Sequence, residues 1–303
     1  MHLSKIILGC EQIGYIDHGY INKKALENVF LNSVKFGINT FDTASIYNLG
    51  KSEINLKKIF NKNINKLNII TKGGLNYKFL KKKRRAAVYK DFSEEFLRNN
   101  IKQSCNRLNI KRIPLFLIHR PPKDKKTLIN VCRYLETFKK ENLILNYGFS
   151  NINYKLFNYA YSKFKIFAVE NSLNLFNYKR QIQNFKNIHP NVKKIAHSVL
   201  AQGFLSGKYT SEKIFPKSDR RRRMDFFSKK NLAKNYQKIL KLKIIADKLG
   251  TSIPILSIGF LLQSNYVDSV IIGVKNENQF NQNLSSLNFT IDKNILRQIL
   301  KIF

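Results

Sequence analysis

The sequence predicts an α/β protein that forms a single-domain (β/α)8 TIM barrel over residues 1–303. Three observations support this fold class. Short apolar segments alternate with longer amphipathic segments along the whole chain. Eight such pairs suit a chain of 303 residues, which is long enough for one barrel. No internal repeat, low-complexity linker or change in composition divides the chain.

Eight segments have the length and apolar character of parallel strands that are buried on both faces. In chain order they are residues 5–8, 39–42, 68–71, 115–118, 145–149, 167–171, 194–197 and 269–272. The chemistry of a (β/α)8 barrel lies where the strands end and the following loops begin. We therefore expect the functional side chains at the C-terminal ends of these segments.

Between the strands, apolar residues recur at the spacing of a helix. Helical patterns cover residues 25–36, 96–108, 130–140 and 154–163. The first of these patterns predicts a buried stripe made of Leu26, Val29, Phe30 and Val34. Ser93 precedes two glutamates, which is typical of a helix N-cap, and Gly37 and Gly250 are expected to follow helix ends.

A doubly wound parallel sheet is the alternative fold. It would carry a G-x-G-x-x-G turn after its first strand, and Gly9 and Gly14 do not form that pattern. The barrel is therefore the preferred prediction.

The chain is strongly basic, with 55 Lys and Arg against 19 Asp and Glu and a formal net charge of +36. Such a charge attracts polyanions. The basic residues are nevertheless spread along the whole chain, and they accompany many Asn and Ile, which share AT-rich codons with Lys. Drift in composition explains much of the excess, and specific nucleic-acid binding is not expected.

The cysteines Cys10, Cys105 and Cys132 are few and widely spaced, and no C-x-x-C or Cys/His cluster occurs. The sequence therefore predicts neither a disulfide framework nor a metal site. No uncharged apolar run approaches the ~20 residues of a membrane span, and the N-terminal apolar stretch is too short for a signal peptide. We expect a cytoplasmic protein that does not enter a membrane.

Four polar residues lie at the C-terminal ends of neighbouring predicted strands. Asp42 ends the second strand, with Tyr47 five residues further on, Lys72 follows the third strand and His119 the fourth. A tyrosine phenol has a reference pKa near ~10, and a nearby ammonium lowers it. Asp42 can pair with a buried Lys72, and His119 can hydrogen-bond a carbonyl oxygen. The set predicts that Tyr47 is a general acid that protonates an alkoxide as it forms.

With these residues identified, the sequence resembles the aldo-keto reductase superfamily. Asp42, Tyr47, Lys72 and His119 fall on the family's catalytic tetrad, in the contexts FDTASIYNLGKSE, ITKGG and LFLIHRP. Further matches run from LGCEQIG through LILNYGFSN and IAHSVLAQGFLSGKY to VIIGVKNENQFNQNL. The resemblance implies an NADPH-dependent oxidoreductase that reduces an aldehyde or ketone to an alcohol, with a small-molecule carbonyl substrate and no metal.

The resemblance also implies a cofactor site. Ser150 and Asn151 correspond to the pair that binds the nicotinamide carboxamide. The loop after the seventh strand would wrap the pyrophosphate with Ser198, Leu200, Gly203, Leu205 and Lys208. The adenosine end would be contacted by Gly273, Lys275, Asn276, Gln279 and Asn283. Lys275 falls where a basic residue meets the 2′-phosphate, which favours NADPH while leaving NADH open.

Two cofactor positions depart from the family pattern. Glu170 stands where the family usually has Gln, and His197 stands where an aromatic residue, commonly Tyr, stacks on the nicotinamide. A carboxylate can still accept a hydrogen bond from the carboxamide, and an imidazole can still stack. We therefore expect an altered cofactor affinity and unchanged chemistry.

Two other functions compete with catalysis: a regulatory subunit of the same fold that senses the redox state of the cofactor, and a basic nucleic-acid binder with a second role. The complete tetrad favours the enzyme.

The basic runs 81–85 and 220–223 are expected at the active-site face of the barrel. They are either solvated loops or a cationic rim that favours an anionic substrate, such as a phosphorylated or nucleotide-linked sugar.

Overall fold

The computed structural model describes residues 1–15, 21–79, 86–216 and 219–303. Its barrel strands are β1 (Ile6–Gly9), β2 (Thr40–Asp42), β3 (Asn68–Gly73), β6 (Ile113–Ile118), β7 (Ile144–Ser150), β8 (Ala168–Ser172), β9 (Lys193–His197) and β10 (Ser269–Ile272). They close in the order β1-β10-β9-β8-β7-β6-β3-β2, and every neighbouring pair is parallel. The predicted (β/α)8 barrel is confirmed, and each predicted strand lies within two residues of an observed one.

A two-stranded antiparallel hairpin was not predicted. It consists of β4 (Leu75–Phe79) and β5 (Ala86–Lys90), and it follows β3 directly. The segment carries neither a long apolar run nor a two-residue Asn-Gly type of turn, so the sequence offers little strand signal there. Along the chain, the hairpin lies between β3, which contains Lys72, and the next helix, at the C-terminal side of the barrel.

The helices are α1 (Lys23–Ser33), α2 (Lys51–Phe60), α3 (Glu94–Leu108), α4 (Lys125–Lys140), α5 (Tyr154–Tyr161), α6 (Tyr178–Gln181), α7 (Gln183–Lys186), α8 (Lys229–Lys248), α9 (Ile253–Leu262), α10 (Glu277–Leu284) and α11 (Lys293–Ile302). Ser93 caps α3 by accepting a hydrogen bond from the Phe96 backbone N–H, as predicted. Gly37 and Gly250 follow helix ends in the left-handed region, at φ 78° and 60°.

One residue of the predicted apolar stripe on α1 lies elsewhere. Leu26, Val29 and Phe30 are buried, whereas Val34 is 43% exposed. The α-helix ends at Ser33, and Val34–Phe36 continue as a 3-10 turn. Because a 3-10 turn has about three residues per turn instead of 3.6, it rotates Val34 away from the stripe.

Two apolar layers hold the barrel together. One fills its interior with Leu3, Ile7, Ile70, Leu115, Leu117, Ala168, Ile195 and Ile271. The other lies between the strands and the surrounding helices. Neighbouring strands come so close at Gly148 that a Cβ there would lie 2.1 Å from the Ala168 carbonyl oxygen. The absence of a side chain at Gly148 therefore lets β7 and β8 pair just before the polar residues that end them.

Among the described residues, no single helix is both long and apolar enough to cross a bilayer. Helices α8 and α9, which meet at 87°, satisfy such a criterion only when they are taken together, by length and composition alone.

Candidate active site

A buried cluster of charges occupies the C-terminal end of the barrel. The Lys72 Nζ donates to both carboxylate oxygens of Asp42, at 2.6 and 2.5 Å, and to the Thr43 carbonyl oxygen at 3.1 Å. A Glu170 carboxylate oxygen lies 3.5 Å from the same ammonium. Lys72, Asp42 and Glu170 are 1%, 4% and 2% exposed. Because buried charges are costly unless they are paired, these three groups depend on one another.

Hydrogen bonds fix the segments that carry this cluster. The Ser45 hydroxyl donates to the Lys72 carbonyl oxygen at 2.9 Å and so ties the loop after β2 to the end of β3. The preceding residue, Thr71, donates to the buried Glu53 carboxylate at 2.6 Å, and Arg107 donates to the other Glu53 oxygen. Glu53 and Arg107 did not stand out in the sequence as site residues, yet they bind the strand residue next to Lys72.

Tyr47 completes the group of four. It lies in the turn between β2 and α2, and the Lys72 Nζ is 5.4 Å from the centre of its ring. The His119 ring meets it edge-on, with 5.7 Å between centroids and 84° between planes. The fold therefore brings Asp42, Tyr47, Lys72 and His119 together from three strands and one loop.

The two aromatic members of the group differ in protonation. Burial raises the pKa of the Tyr47 phenol above its usual range, and the Lys72 ammonium opposes this effect without cancelling it. Our expectation that Lys72 lowers the pKa of Tyr47 overall is therefore wrong, because desolvation outweighs the charge. Burial, together with the charges of Lys72 and Arg120, lowers the pKa of His119 well below its usual range. At neutral pH Tyr47 is protonated and His119 is uncharged.

A chain of hydrogen bonds joins the predicted nicotinamide-binding residues. The Ser150 hydroxyl donates to Glu170 at 3.1 Å, and the Asn151 side-chain amide donates to Ser150 and to the His119 carbonyl oxygen. Burial lowers the pKa of His197 to about 4, so this imidazole is neutral. Its Nε2 then donates to the Asn151 side-chain oxygen at 3.0 Å, and its Nδ1 accepts from Ser198.

The loop after β9 has an unusual backbone conformation. Ser198, Ala201, Gln202 and Gly203 all have positive φ, from 48° to 90°. The backbone N–H groups of Ala201 and Gly203 donate within the loop, to the carbonyl oxygens of Ser198 and Leu200. Of the other predicted residues in this loop, Leu205 is buried and Leu200 partly so, which anchors the turn, while Lys208 is exposed.

The predicted adenosine-end residues surround the start of α10. Asn276 caps this helix by accepting from the Gln279 N–H, and the Gln279 side chain accepts from the Lys275 N–H at 3.0 Å. Asn283 is buried on the same helix, and a Cβ at Gly273 would lie 2.2 Å from the Gln12 side-chain amide, so the end of the Gln12 side chain would have to move. Burial and the positive charges of Arg221 and Lys208 lower the pKa of Lys275, while Asp219 opposes them.

Arg221 has hydrogen-bond partners that the sequence does not indicate. It belongs to the basic run Arg220–Arg223, for which the sequence left open solvated loops or a cationic rim, and its guanidinium binds the Asp219 carboxylate at 2.5 Å and the Tyr209 hydroxyl at 2.6 Å. It also contacts the Gln202 carbonyl oxygen in the loop after β9. Because Arg221 is paired with Asp219, it fits neither alternative: it is not a solvated arginine and not a free charge of a rim. The other run, 81–85, lies outside the described residues.

Several features of this end of the barrel fit a nicotinamide dinucleotide. The Nδ1 of His119 and one carboxylate oxygen of Glu170 are buried without a hydrogen-bond partner, which is unusual for polar atoms unless a ligand supplies one. The turn at Gly203 has φ 90°, a conformation that favours glycine, and the Tyr209 and Arg221 side chains lie beside it. Lys208 and Lys275 add positive charge beyond it, next to the Arg221–Asp219 ion pair. Ser150, Asn151, Glu170 and His197 would hold the nicotinamide end, and Ser198, Leu200, Gly203, Leu205, Lys208, Gly273, Lys275, Asn276, Gln279 and Asn283 the remainder.

The chain is similar to known proteins over nearly its whole length. A sequence model of the Aldo/keto reductase family matches residues 5–302. The chain is 23% identical to the NADH-specific methylglyoxal reductase of Escherichia coli strain K12, over 98% of this chain and 94% of that protein.

Solved structures share the fold. The glycerol dehydrogenase of Gluconobacter oxydans has a TM-score of 0.85 at 24% identity, covering 99% of this chain and 91% of that one. The holo form of an aldo-keto reductase from Bacillus halodurans has a TM-score of 0.75 at 19% identity, covering 100% and 93%.

Proposed function

The chain belongs to the aldo/keto reductase family and is an NAD(P)H-dependent oxidoreductase, and from this premise we propose that it reduces an aldehyde or ketone to an alcohol with Tyr47 as the proton donor. One observation carries the proposal. A phenol, a neutral imidazole and a buried ammonium–carboxylate pair meet at the C-terminal end of the barrel, the face on which (β/α)8 enzymes carry out their chemistry.

The charge of each catalytic residue determines its role in the reaction. A bound nicotinamide cofactor supplies the hydride, and this chain positions the carbonyl and delivers the proton. Tyr47 keeps its proton at neutral pH, which is the form that a donor needs. Lys72 stabilises the phenolate that remains after transfer, and Asp42 holds the ammonium in place. The uncharged His119 offers a hydrogen bond to the carbonyl oxygen.

The experiment that tests this function follows NADPH consumption with a generic aldehyde such as 4-nitrobenzaldehyde. We expect turnover that depends on enzyme and aldehyde together, with one alcohol formed per NADPH consumed. Tight NADPH binding without turnover on any carbonyl compound would instead support the regulatory subunit. Absence of any nicotinamide binding would contradict both.

We propose NADPH as the preferred cofactor. The support is the cluster of Lys275, Lys208 and Arg221, whose charges lie close enough for two of them to lower the pKa of the third. Two further cations beside one half-buried lysine suit the extra phosphate that distinguishes NADPH from NADH. In this respect the chain would differ from the E. coli relative, whose name records specificity for NADH.

Replacing Lys275 tests this preference. Lys275→Glu should raise the Kd of NADPH roughly 10- to 100-fold, since a hydrogen bond to a charged group contributes about 1.5–3 kcal/mol, and it should change the Kd of NADH much less. Lys241→Glu on exposed α8 alters the net charge equally and is the matched control. Equal losses for NADPH and NADH in Lys275→Glu would show that Lys275 does not meet the 2′-phosphate.

We also propose that the substrate carries negative charge. The support is a set of exposed cations beside the catalytic imidazole. Arg120 directly follows His119, and desolvation together with the charges of Lys123 and Arg120 lowers the pKa of Lys90 on the hairpin. The Lys90 ammonium is held by the Pro121 carbonyl oxygen at 2.9 Å. We therefore assign the cationic rim to Lys90, Arg120 and Lys123, and not to the run 220–223.

Salt dependence tests the rim. For matched anionic and neutral aldehydes, we expect a higher kcat/KM for the anionic one at low salt, with the advantage fading as the Debye length shrinks to about 8 Å at physiological ionic strength. The double variant Lys90→Glu/Lys123→Glu should abolish the advantage. If the advantage is absent, or survives in that variant, the rim is only solvated surface.

A further inference from the structure

Lys72 is shared by two carboxylates that come from opposite sides of the barrel. Asp42 on β2 holds it at 2.5 Å, and Glu170 on β8 lies 3.5 Å away. All three side chains are almost completely buried, with side-chain exposures between 1% and 5%. One positive charge therefore faces two potential negative charges in a region that water scarcely reaches.

Glu170 is only partly satisfied by the protein. One of its carboxylate oxygens accepts from Ser150 at 3.1 Å, and the other is buried without a partner. Buried carboxylate oxygens are normally hydrogen-bonded, so the free oxygen points to a group that arrives with a ligand. Its neighbour Ser150 belongs to the proposed nicotinamide end of the site.

We propose that Glu170 adds negative charge to this end of the site and thereby favours binding of the oxidised nicotinamide over the reduced form. With an amide at position 170, this preference would be weaker. The inference rests on the proposed function. It concerns the redox form of the cofactor that the enzyme prefers, not the chemistry of the proton transfer.

The physical reason is the net charge of the cluster. With glutamine at position 170, the negative charge of Asp42 and the positive charge of Lys72 would cancel. With Glu170, the ionised cluster carries one net negative charge. The oxidised nicotinamide ring is positively charged and the reduced ring is neutral, so a buried negative charge attracts one form and is nearly indifferent to the other. The equilibrium in solution is unchanged, but the balance between the two enzyme-bound forms shifts toward the oxidised cofactor.

The effect should depend on pH. Burial and the charge of Glu170 raise the pKa of Asp42 well above its usual range. While Asp42 is protonated, its proton cancels the extra charge of the cluster. Once Asp42 is ionised, the full charge acts on the ring.

Other titratable groups face this cluster. Burial raises the pKa values of Cys10 and Tyr47, and burial lowers those of His119 and His197. These shifts leave Cys10, Tyr47, His119 and His197 uncharged at neutral pH. The carboxylate of Glu11 acts electrostatically on both Tyr47 and His197, and it is present in the wild type and in a variant at position 170 alike.

The test measures dissociation constants without turnover. NADP⁺ and NADPH are titrated separately into three proteins, the wild type, Glu170→Gln and Glu170→Asp, between about pH 5.5 and pH 9. The melting temperature of each protein checks that it is folded. Glu170→Gln should lower the preference for NADP⁺ over NADPH by roughly tenfold at the high-pH end, and less at the low-pH end. Glu170→Asp keeps the charge and should keep the preference, even if both forms bind more weakly.

Two results overturn the inference, and they differ from failure of the proposed function. If Glu170→Gln changes the Kd of both forms by the same factor at every pH, Glu170 carries no charge that the ring senses. If Glu170→Asp loses the preference as Glu170→Gln does, shape and not charge is responsible. If the wild type binds neither cofactor, the proposed function itself is wrong.

Discussion

The variant Tyr47→Phe is expected to lower kcat for carbonyl reduction by about 10²- to 10⁴-fold, the usual contribution of a positioned general acid. The substitution removes a single hydroxyl and leaves a ring of the same shape, which preserves the contacts of Tyr47 with the Lys72 ammonium and the His119 ring. The Kd of NADPH and the melting temperature should therefore stay close to those of the wild type. Steady-state kinetics and cofactor titration check both expectations.

A second tyrosine provides the control. Tyr89 lies on β5 and is 47% exposed, so Tyr89→Phe removes a hydroxyl without touching the site. It should leave kcat unchanged. If Tyr47→Phe, like this control, reduces carbonyl compounds at nearly the wild-type rate, Tyr47 is not the proton donor.

The variant Lys72→Met should have the largest effect on stability. It removes the one cation between Asp42 and Glu170 and leaves both carboxyls buried without it, and breaking such a buried pair typically costs 3–5 kcal/mol, about a third or more of the stability of an ordinary domain. Urea unfolding measures the free energy of unfolding. Turnover should also fall steeply, because the phenolate of Tyr47 loses its stabilising charge.

The loss should grow as the pH rises. The pKa of Asp42 is raised by burial and lies above that of the unfolded chain, so Asp42 binds more protons in the folded state and stability falls as pH rises from about 4 toward its folded pKa. We therefore expect Lys72→Met to be less stable at about pH 8 than at about pH 5. The double variant Lys72→Met/Glu170→Gln, which removes one of the repelling charges, should recover part of the loss. A free energy of unfolding equal to that of the wild type at both pH values would show that the cluster is not a buried ion pair.

The barrel could be predicted from the sequence because buried parallel strands leave a local signal. Short apolar runs such as 115–118 and 269–272 stand out from the amphipathic helices between them, and both lie within observed strands. The hairpin 75–79 and 86–90 could not be predicted in the same way, since its strands mix apolar residues with Asn and Lys, and Tyr77, Val88 and Tyr89 are exposed. Val34 was misplaced because a change from α-helix to 3-10 turn alters the periodicity without changing the residue types.

The candidate site was predictable as a set of strand ends but not in its pairings. The topology of the barrel brings Lys72 and Glu170 within 3.5 Å although they are 98 positions apart in the sequence, and no local pattern reports that contact. The same limit applies to Arg221, which reads as one more arginine in a basic run and proves to be bound to Asp219 and Tyr209. The direction of the Tyr47 pKa depends on desolvation, which follows from burial in three dimensions.

The most direct measurement of the central claim follows the hydride itself. The enzyme is incubated with an aldehyde and NADPH that carries deuterium at both C4 positions of the nicotinamide, and the alcohol is analysed by mass spectrometry. The account predicts one deuterium in each alcohol molecule, bound to the former carbonyl carbon, and far slower formation of this product with Tyr47→Phe. Alcohol without deuterium, or no alcohol from any carbonyl compound although NADPH binds, would contradict it.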